Sequence, residues 1–338
     1  MKLPLKRLAI TLIIAAISLP LSMWIFLPDA SAWGFWAHKR INRLAVFTLP
    51  PEMIVFYKDN IEYISEHAVD PDKRRYATVD EAPRHFIDID RYGVYPFEEL
   101  PRRWFDAVDK FSEDTLKAHG IVPWHIELML QRLTNAFKDR NTNQILRYSA
   151  EIGHYIADGH VPLHTSSNYN GQKTNQRGIH GFWESRIPEL FGENFDYWVG
   201  KARYISKPNE SIWKFVLESA AAVDSVLIFE QELTQKVATD EKYCYETRAQ
   251  TILQTYCEGF SKQYADMLDG MIERRMRDAT ISIGSFWYTA WVNAGQPDMN
   301  TLKQQPLTAD EEQELKELEQ QFEKGEIKGR DHPHHPHP

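Results

Sequence analysis

The run His154-Tyr155-Ile156-Ala157-Asp158-Gly159-His160-Val161-Pro162-Leu163-His164 constrains this chain more than any other. Positions four apart share a helical face, so a helix here points His154 and Asp158 the same way. Pro162 bends or ends that helix and lets His164 turn back toward the same face. A carboxylate between two imidazoles is well placed to bridge two metal ions. His160 lies off this face and reads as a supporting or structural group rather than a ligand. A second pair at helical spacing, His180 and Glu184, follows in Gly178-Ile179-His180-Gly181-Phe182-Trp183-Glu184. With His164 it makes a two-histidine, one-carboxylate set, which leaves a coordination position open for water.

Further donors stand upstream. His67-Ala68-Val69-Asp70-Pro71-Asp72-Lys73 offers Asp70 and, across Pro71, its rival Asp72. His85 opens His85-Phe86-Ile87-Asp88-Ile89-Asp90. The chain begins with Lys2, Lys6 and Arg7, a long apolar run from Leu8 to Leu27, and Ala30-Ser31-Ala32. That pattern is a secretory signal with its cleavage site, so residues 1–32 are read as a leader and the protein as periplasmic or secreted. The run is also long enough to anchor uncleaved, but Pro20, Pro28, Asp29 and the small residues favour cleavage. Removal of the leader would leave Trp33 with a free α-amino group five residues before His38, two nitrogen donors for zinc.

The rest of the chain reads as all-α. Ile126, Leu130, Leu133 and Phe137 fall on one stripe. Helical stretches are expected at about Ser211–Val237, Glu246–Arg277 and Ser282–Ala294, with loops at Pro50-Pro51, Gly93–Pro101 and Asn168–Gly178. No alternating strand run with a hairpin turn is evident. The formal net charge is −9, which makes the chain a poor general binder of polyanions unless bound metal supplies local positive charge. There are 2 cysteines, Cys244 and Cys257. They are too few for a thiolate site, so the metal ligands must be histidine and carboxylate. Export permits a disulfide, and the spacing equally fits two thiols within one or two packed helices. After residue 300 the chain changes character. Thr308 can cap a charged helix, Ala309–Lys324, and the end from Gly329 to Pro338 is too rich in His and Pro to pack a core. Residues 301–338 are therefore read as a charged helix and a disordered tail with some capacity to bind metal, appended to a domain over 33–300.

The ordered set Trp-Gly-x-x-x-His, Asp, His-Phe-x-Asp, His-x-x-x-Asp-x-x-x-Pro-x-His and His-x-x-x-Glu resembles the superfamily of zinc-dependent phospholipase C and the fungal single-strand-specific nucleases of the P-one type. The motifs cover roughly Trp33 to Trp198. The resemblance implies an all-helical bundle with a trinuclear zinc site. One zinc would take Asp70, His85, His154 and the bridging Asp158; Asp70 is preferred to Asp72 because its distance to His85 suits the family pattern better. A second would take His164, His180 and Glu184. The third would take the Trp33 amino nitrogen and carbonyl oxygen, His38 and Asp158.

The expected activity is metal-dependent hydrolysis of a phosphodiester, with Asp158 and Asp70 at the attacking water. Glu184 and the short His164–His180 gap are phospholipase-like, whereas the close spacing of Trp33 and His38, and His160, are nuclease-like. The substrate is thus a phospholipid headgroup or, as the alternative, single-stranded nucleic acid or a 3'-nucleotide. In a nuclease Phe86 would stack a base and Asp88 would accept hydrogen bonds from its edge. In a phospholipase Phe35, Trp36 or Tyr169 would wall a cationic headgroup. Lys73, one turn after Asp70, is placed to touch phosphate or to lie on a solvated surface with Arg74 and Arg75. No obligate protein partner is evident. A non-catalytic zinc-binding envelope protein is the reading from a different class.

Overall fold

The computed structural model describes residues 32–248, 251–302 and 306–330. Residues 1–31, all but the last of the expected leader, and the His/Pro-rich end from 331 lie outside the described residues, so the readings made of them are not addressed by the fold. Among the described residues, no helix is long and apolar enough to cross a membrane.

The helix Thr142–Gly159 lies at the centre of an all-α bundle and is buried almost without interruption from Ser149 to Gly159. Asn141 caps its start by accepting from the Gln144 amide at 3.1 Å, which satisfies one of the free amides of the first turn. Four long helices pack around it: Ala32–Ala45, Val122–Lys138, Pro208–Thr234 and Met271–Asn293. Ile126, Leu130, Leu133 and Phe137 form the buried face of Val122–Lys138. The expected breaks are shifted at the C-terminal side of the bundle. The helix Glu258–Met267 ends at Leu268, and Gly270, at φ +69°, precedes a single long helix, Met271–Asn293.

Gly153 sets how closely the N-terminal helix approaches. A Cβ there would fall 1.8 Å from Asn42 Oδ1, so only glycine admits Asn42, whose Nδ2 donates to the Ala150 carbonyl at 3.0 Å. That close approach lays the His38 ring on the His154 ring, with centroids 3.9 Å apart.

The helix expected from Glu246 is partly a hairpin. Tyr243–Arg248 and Thr251–Tyr256 pair antiparallel, in register Tyr243↔Tyr256 through Arg248↔Thr251. Both strands are rich in Tyr and Thr, types that favour extended backbone. The hairpin projects from the bundle with Tyr245 and Ile252 exposed, so no buried face imposes the alternation by which strands are read from sequence. Cys244 and Cys257 form a disulfide at its base.

Candidate metal centre

Six side chains converge where the N-terminal helix, the central helix and the 70–85 segment meet. Asp158, one turn beyond His154, reaches in two directions. Its Oδ2 lies 3.0 Å from His85 Nδ1 and 3.3 Å from His154 Nε2. Its Oδ1 lies 3.3 Å from His38 Nε2 and 3.9 Å from His164 Nε2. Asp72 Oδ1 completes one end, 3.7 Å from His85 Nδ1 and 3.8 Å from His154 Nε2. All six are buried.

The second cluster is local in sequence. His180 Nε2 is 3.1 Å from Glu184 Oε1, and His164 Nε2 is 3.2 Å from Glu184 Oε2. The backbone between His180 and Glu184 passes from Ile179–Gly181 into a π-helical turn, Phe182–Arg186, a geometry frequent at functional sites. The turn keeps both side chains on one side.

Backbone carbonyls set the tautomers. His154 Nδ1 donates to the Ala68 carbonyl at 2.9 Å, His164 Nδ1 to the His85 carbonyl at 2.5 Å, and His180 Nδ1 to the Tyr169 carbonyl at 3.1 Å. Each ring then turns Nε2, the nitrogen that would bind metal, toward the carboxylates. Holding the distal N–H in this way is how proteins orient metal-ligating histidine. His154 Nε2 and His85 Nδ1 stand 3.0 Å apart. A buried convergence of carboxylates needs positive charge among them, supplied by protons on the imidazoles or by bound metal. Three groups of donor atoms, each within 4.8 Å of one another, are His38, His154 and Asp158; Asp72, His85 and His154; and His164, His180 and Glu184. Histidine and carboxylate donors in such groups suit zinc.

The charge distribution follows. Burial raises the Asp158 carboxyl, but His154, His164 and the His38 hydrogen bond carry it well below the usual carboxylate range. Burial lowers the His164 imidazole, and Asp158 and Glu184 more than reverse this, to about 9.

Several expected residues stand elsewhere. Asp70 does not join the donors: its Oδ2 is 2.6 Å from His67 Nδ1, and it lies half-buried beside the last helix. Asp72 takes its place. The two begin the short helix Asp70–Arg74, and residues two apart on a helix differ by about 200° in direction. Only one of them can face inward. Lys73 also turns away, pairing with Glu319 at 2.8 Å and lying over the Phe322 ring. Phe35 packs against Phe322, not in the site. His160 is no donor to the clusters: its Nδ1 donates to the Ile156 carbonyl at 2.8 Å and its ring stacks on Phe215. Phe86, Asp88 and Tyr169 surround one slot, all three in contact with the Arg330 guanidinium. The helix Ala32–Ala45 includes Trp33, but its side chain and its expected role as an α-amino ligand lie outside the described residues.

Two neighbours were not singled out as site residues. Glu81 is fully buried, 3.6 Å from His85 Nε2, and accepts from the Tyr155 hydroxyl, Arg74 and Arg84. Its signal was the four-residue spacing to His85. Burial would raise its carboxyl, yet His85 and Arg74 hold it well below the usual range. Arg75 is 3 % exposed. Burial lowers its pKa, and the carboxylates of Asp72 and Asp158 oppose that shift.

Fold and site together define an all-helical protein with a buried, carboxylate-bridged histidine centre of the kind that holds divalent metal. The comparison with known families is direct: the chain belongs to the zinc dependent phospholipase C family, whose model matches residues 37–266. That span takes in every residue of the three donor groups. No curated protein sequence matches the chain.

Proposed function

We propose that this protein hydrolyses phospholipids with a cationic headgroup, using three zinc ions. The family match supports a zinc-dependent hydrolase of the phosphodiester class. The observation that carries the headgroup is the slot beside the centre. There a guanidinium carbon lies 3.8 Å from the Phe86 ring centroid and 3.7 Å from that of Tyr169, and its Nη1 is 2.7 Å from Asp88 Oδ1. Two aromatic faces and a carboxylate are the chemistry that recognises a quaternary ammonium or primary ammonium headgroup.

In this reading Asp72, His85 and His154 would hold one ion, His164, His180 and Glu184 another, and His38 with the exposed Trp33 terminus a third, with Asp158 available to the first and third. Zinc held by these residues would supply acidification of water and charge to offset that building on the phosphoryl oxygens. The protein's own part is positional. Asp158 turns one carboxylate oxygen to His85 and His154 and the other to His38. Asp72, replacing Asp70 in the expected role, presents a carboxylate to orient the attacking water. Phe86, Tyr169 and Asp88 hold the headgroup so that phosphorus faces the donors, and Arg75 lies within the field of Asp72 and Asp158 to pair with a phosphate oxygen.

The test offers zinc-loaded protein phosphatidylcholine, phosphatidylglycerol, single-stranded DNA and RNA, with and without chelator. Chelator-sensitive release of phosphocholine, exceeding cleavage of the anionic lipid, is the expected result. A second reading, single-stranded nucleic acid, draws on the same slot, because its rings cover both faces of a planar group and Asp88 meets its edge. Cleavage of DNA or RNA alone would favour it. Metal content without turnover on any substrate would favour a non-catalytic zinc protein. We further infer export with cleavage before Trp33; a tag retained ahead of Trp33 should then lower both zinc content and activity.

A further inference from the structure

The guanidinium in the headgroup slot belongs to the chain itself. It is Arg330, at the end of an arm that begins with the helix Ala309–Glu323. The arm lies along the domain rather than away from it. Glu314 pairs with Arg147, Glu319 with Lys73, and Phe322 packs between Phe35 and Tyr76. Beyond the helix, the Lys328 amide donates to the Arg75 carbonyl at 2.8 Å and Lys328 Nζ to the Ala77 carbonyl at 2.9 Å. A Cβ on Gly329 would sit 3.2 Å from that of Ala82. The chain then delivers Arg330 between Phe86 and Tyr169 with its side chain largely buried.

The position of this slot matters. Phe86 follows His85 directly, and the Tyr169 carbonyl holds His180. An occupant therefore touches the shoulders of both donor clusters. Arg330 blocks a second group as well: its own carbonyl accepts from Arg75 Nη2 at 2.7 Å. Among the described residues, Arg75 Nε is buried without a hydrogen-bond partner. One residue thus supplies a planar cation to the slot and an oxygen to the buried arginine, the two features a cationic phosphodiester presents together.

We propose that residues 326–330 are an inhibitory strap, in which Arg330 imitates the substrate and must leave before substrate enters. The inhibition rests on the hydrolase reading above; the docking does not. Three further candidate regions are weaker. The apolar cavity lined by His38, Trp183 and Met276 adjoins the metal centre itself, the groove near Arg103 and Lys207 is open to solvent with nothing to say what would fill it, and the exposed hairpin has nothing to say what covers it.

The test uses full-length, zinc-loaded protein with Arg330→Ala and, as the conservative variant, Arg330→Lys. Arg330→Ala should raise kcat/KM on a soluble choline phosphodiester by about tenfold, mostly through KM, as loss of a desolvated cation–π and ion-pair contact implies. Arg330→Lys should fall between. Ethylguanidinium should inhibit Arg330→Ala competitively and leave the wild type nearly unaffected. Saturation-transfer NMR reads the docking without turnover: ethylguanidinium should bind Arg330→Ala and not the wild type. Selective binding with no turnover in either protein would uphold the docking and overturn the hydrolase reading instead. Equal ethylguanidinium binding to both proteins, or an unchanged or lower kcat/KM in Arg330→Ala while the wild type turns over, would overturn the strap.

Discussion

The two donor clusters are built in opposite ways. His164, His180 and Glu184 come from one continuous stretch of chain, and two of them sit one helical turn apart. The cluster of Asp72, His85, His154 and His38 is assembled from four separate segments. The first depends on local backbone geometry. The second depends on helix packing, on the contact that Gly153 permits to Asn42, and on which side of a short helix a carboxylate faces. Asp158 belongs to the second, and its Oδ1 comes within 3.9 Å of His164 Nε2 in the first. A local cluster should therefore survive changes in packing that dismantle the distant one.

The largest effect should come from Asp158→Asn, which removes the carboxylate shared by His85, His154 and His38 and so touches two of the expected ions. It should lose more zinc than any single histidine change and lower turnover on the order of a thousandfold. Metal analysis beside circular dichroism checks this; retention of full zinc by a folded variant would break the comparison at its shared member. Next, Asp72→Asn should lower zinc affinity and activity by roughly a hundredfold, while Asp70→Asn, which touches only His67, should change either by about twofold at most. The reverse order would restore Asp70 to the centre. Glu81→Gln should weaken zinc affinity by about tenfold through loss of the charge facing His85. It should also cost about 3 kcal/mol of stability, because Arg74 is left without one of its buried partners. Chemical denaturation with and without zinc separates the two effects.

Gly153→Ala sharpens the contrast in packing. It should destabilise the fold by about 1–3 kcal/mol through its collision with Asn42. It should also weaken zinc binding at the distant cluster while sparing His164, His180 and Glu184. The smallest effect concerns pH. Burial first, and then Arg84, hold the His125 imidazole well below its ordinary value. The unfolded chain therefore binds a proton near pH 6.5 that the folded protein refuses. The neutral ring's contribution is intact above that pH and is lost as pH falls through it, by about 1.4 kcal/mol per unit. His125→Gln should flatten that part of the stability profile relative to wild type. Identical slopes would show that His125 takes up its proton in the fold.

The same contrast explains what was readable in the sequence. Four-residue spacings are local, so His154 with Asp158 and His180 with Glu184 were legible, as was the turn at Pro162 that returns His164. The all-α class followed from helical stripes such as Ile126 to Phe137. The choice between Asp70 and Asp72 was not legible, because both flank Pro71 and only the docking of their helix decides which faces in. The hairpin at Tyr243–Tyr256 escaped notice because both strands project from the bundle and bury no alternating face. Glu81 had the spacing to be found but no second donor near it in sequence. Arg330 was hidden altogether: it sits in a stretch whose composition suggests a loose end, and its role depends on an arm folding back across more than 240 positions of chain to Asp88.

Anomalous diffraction from crystals grown with zinc tests the central claim most directly. The account predicts peaks within coordination distance of Asp72, His85 and His154 and of His164, His180 and Glu184, with Asp158 between them. Peaks ligated by Asp70, or no peak among these buried donors, would contradict it.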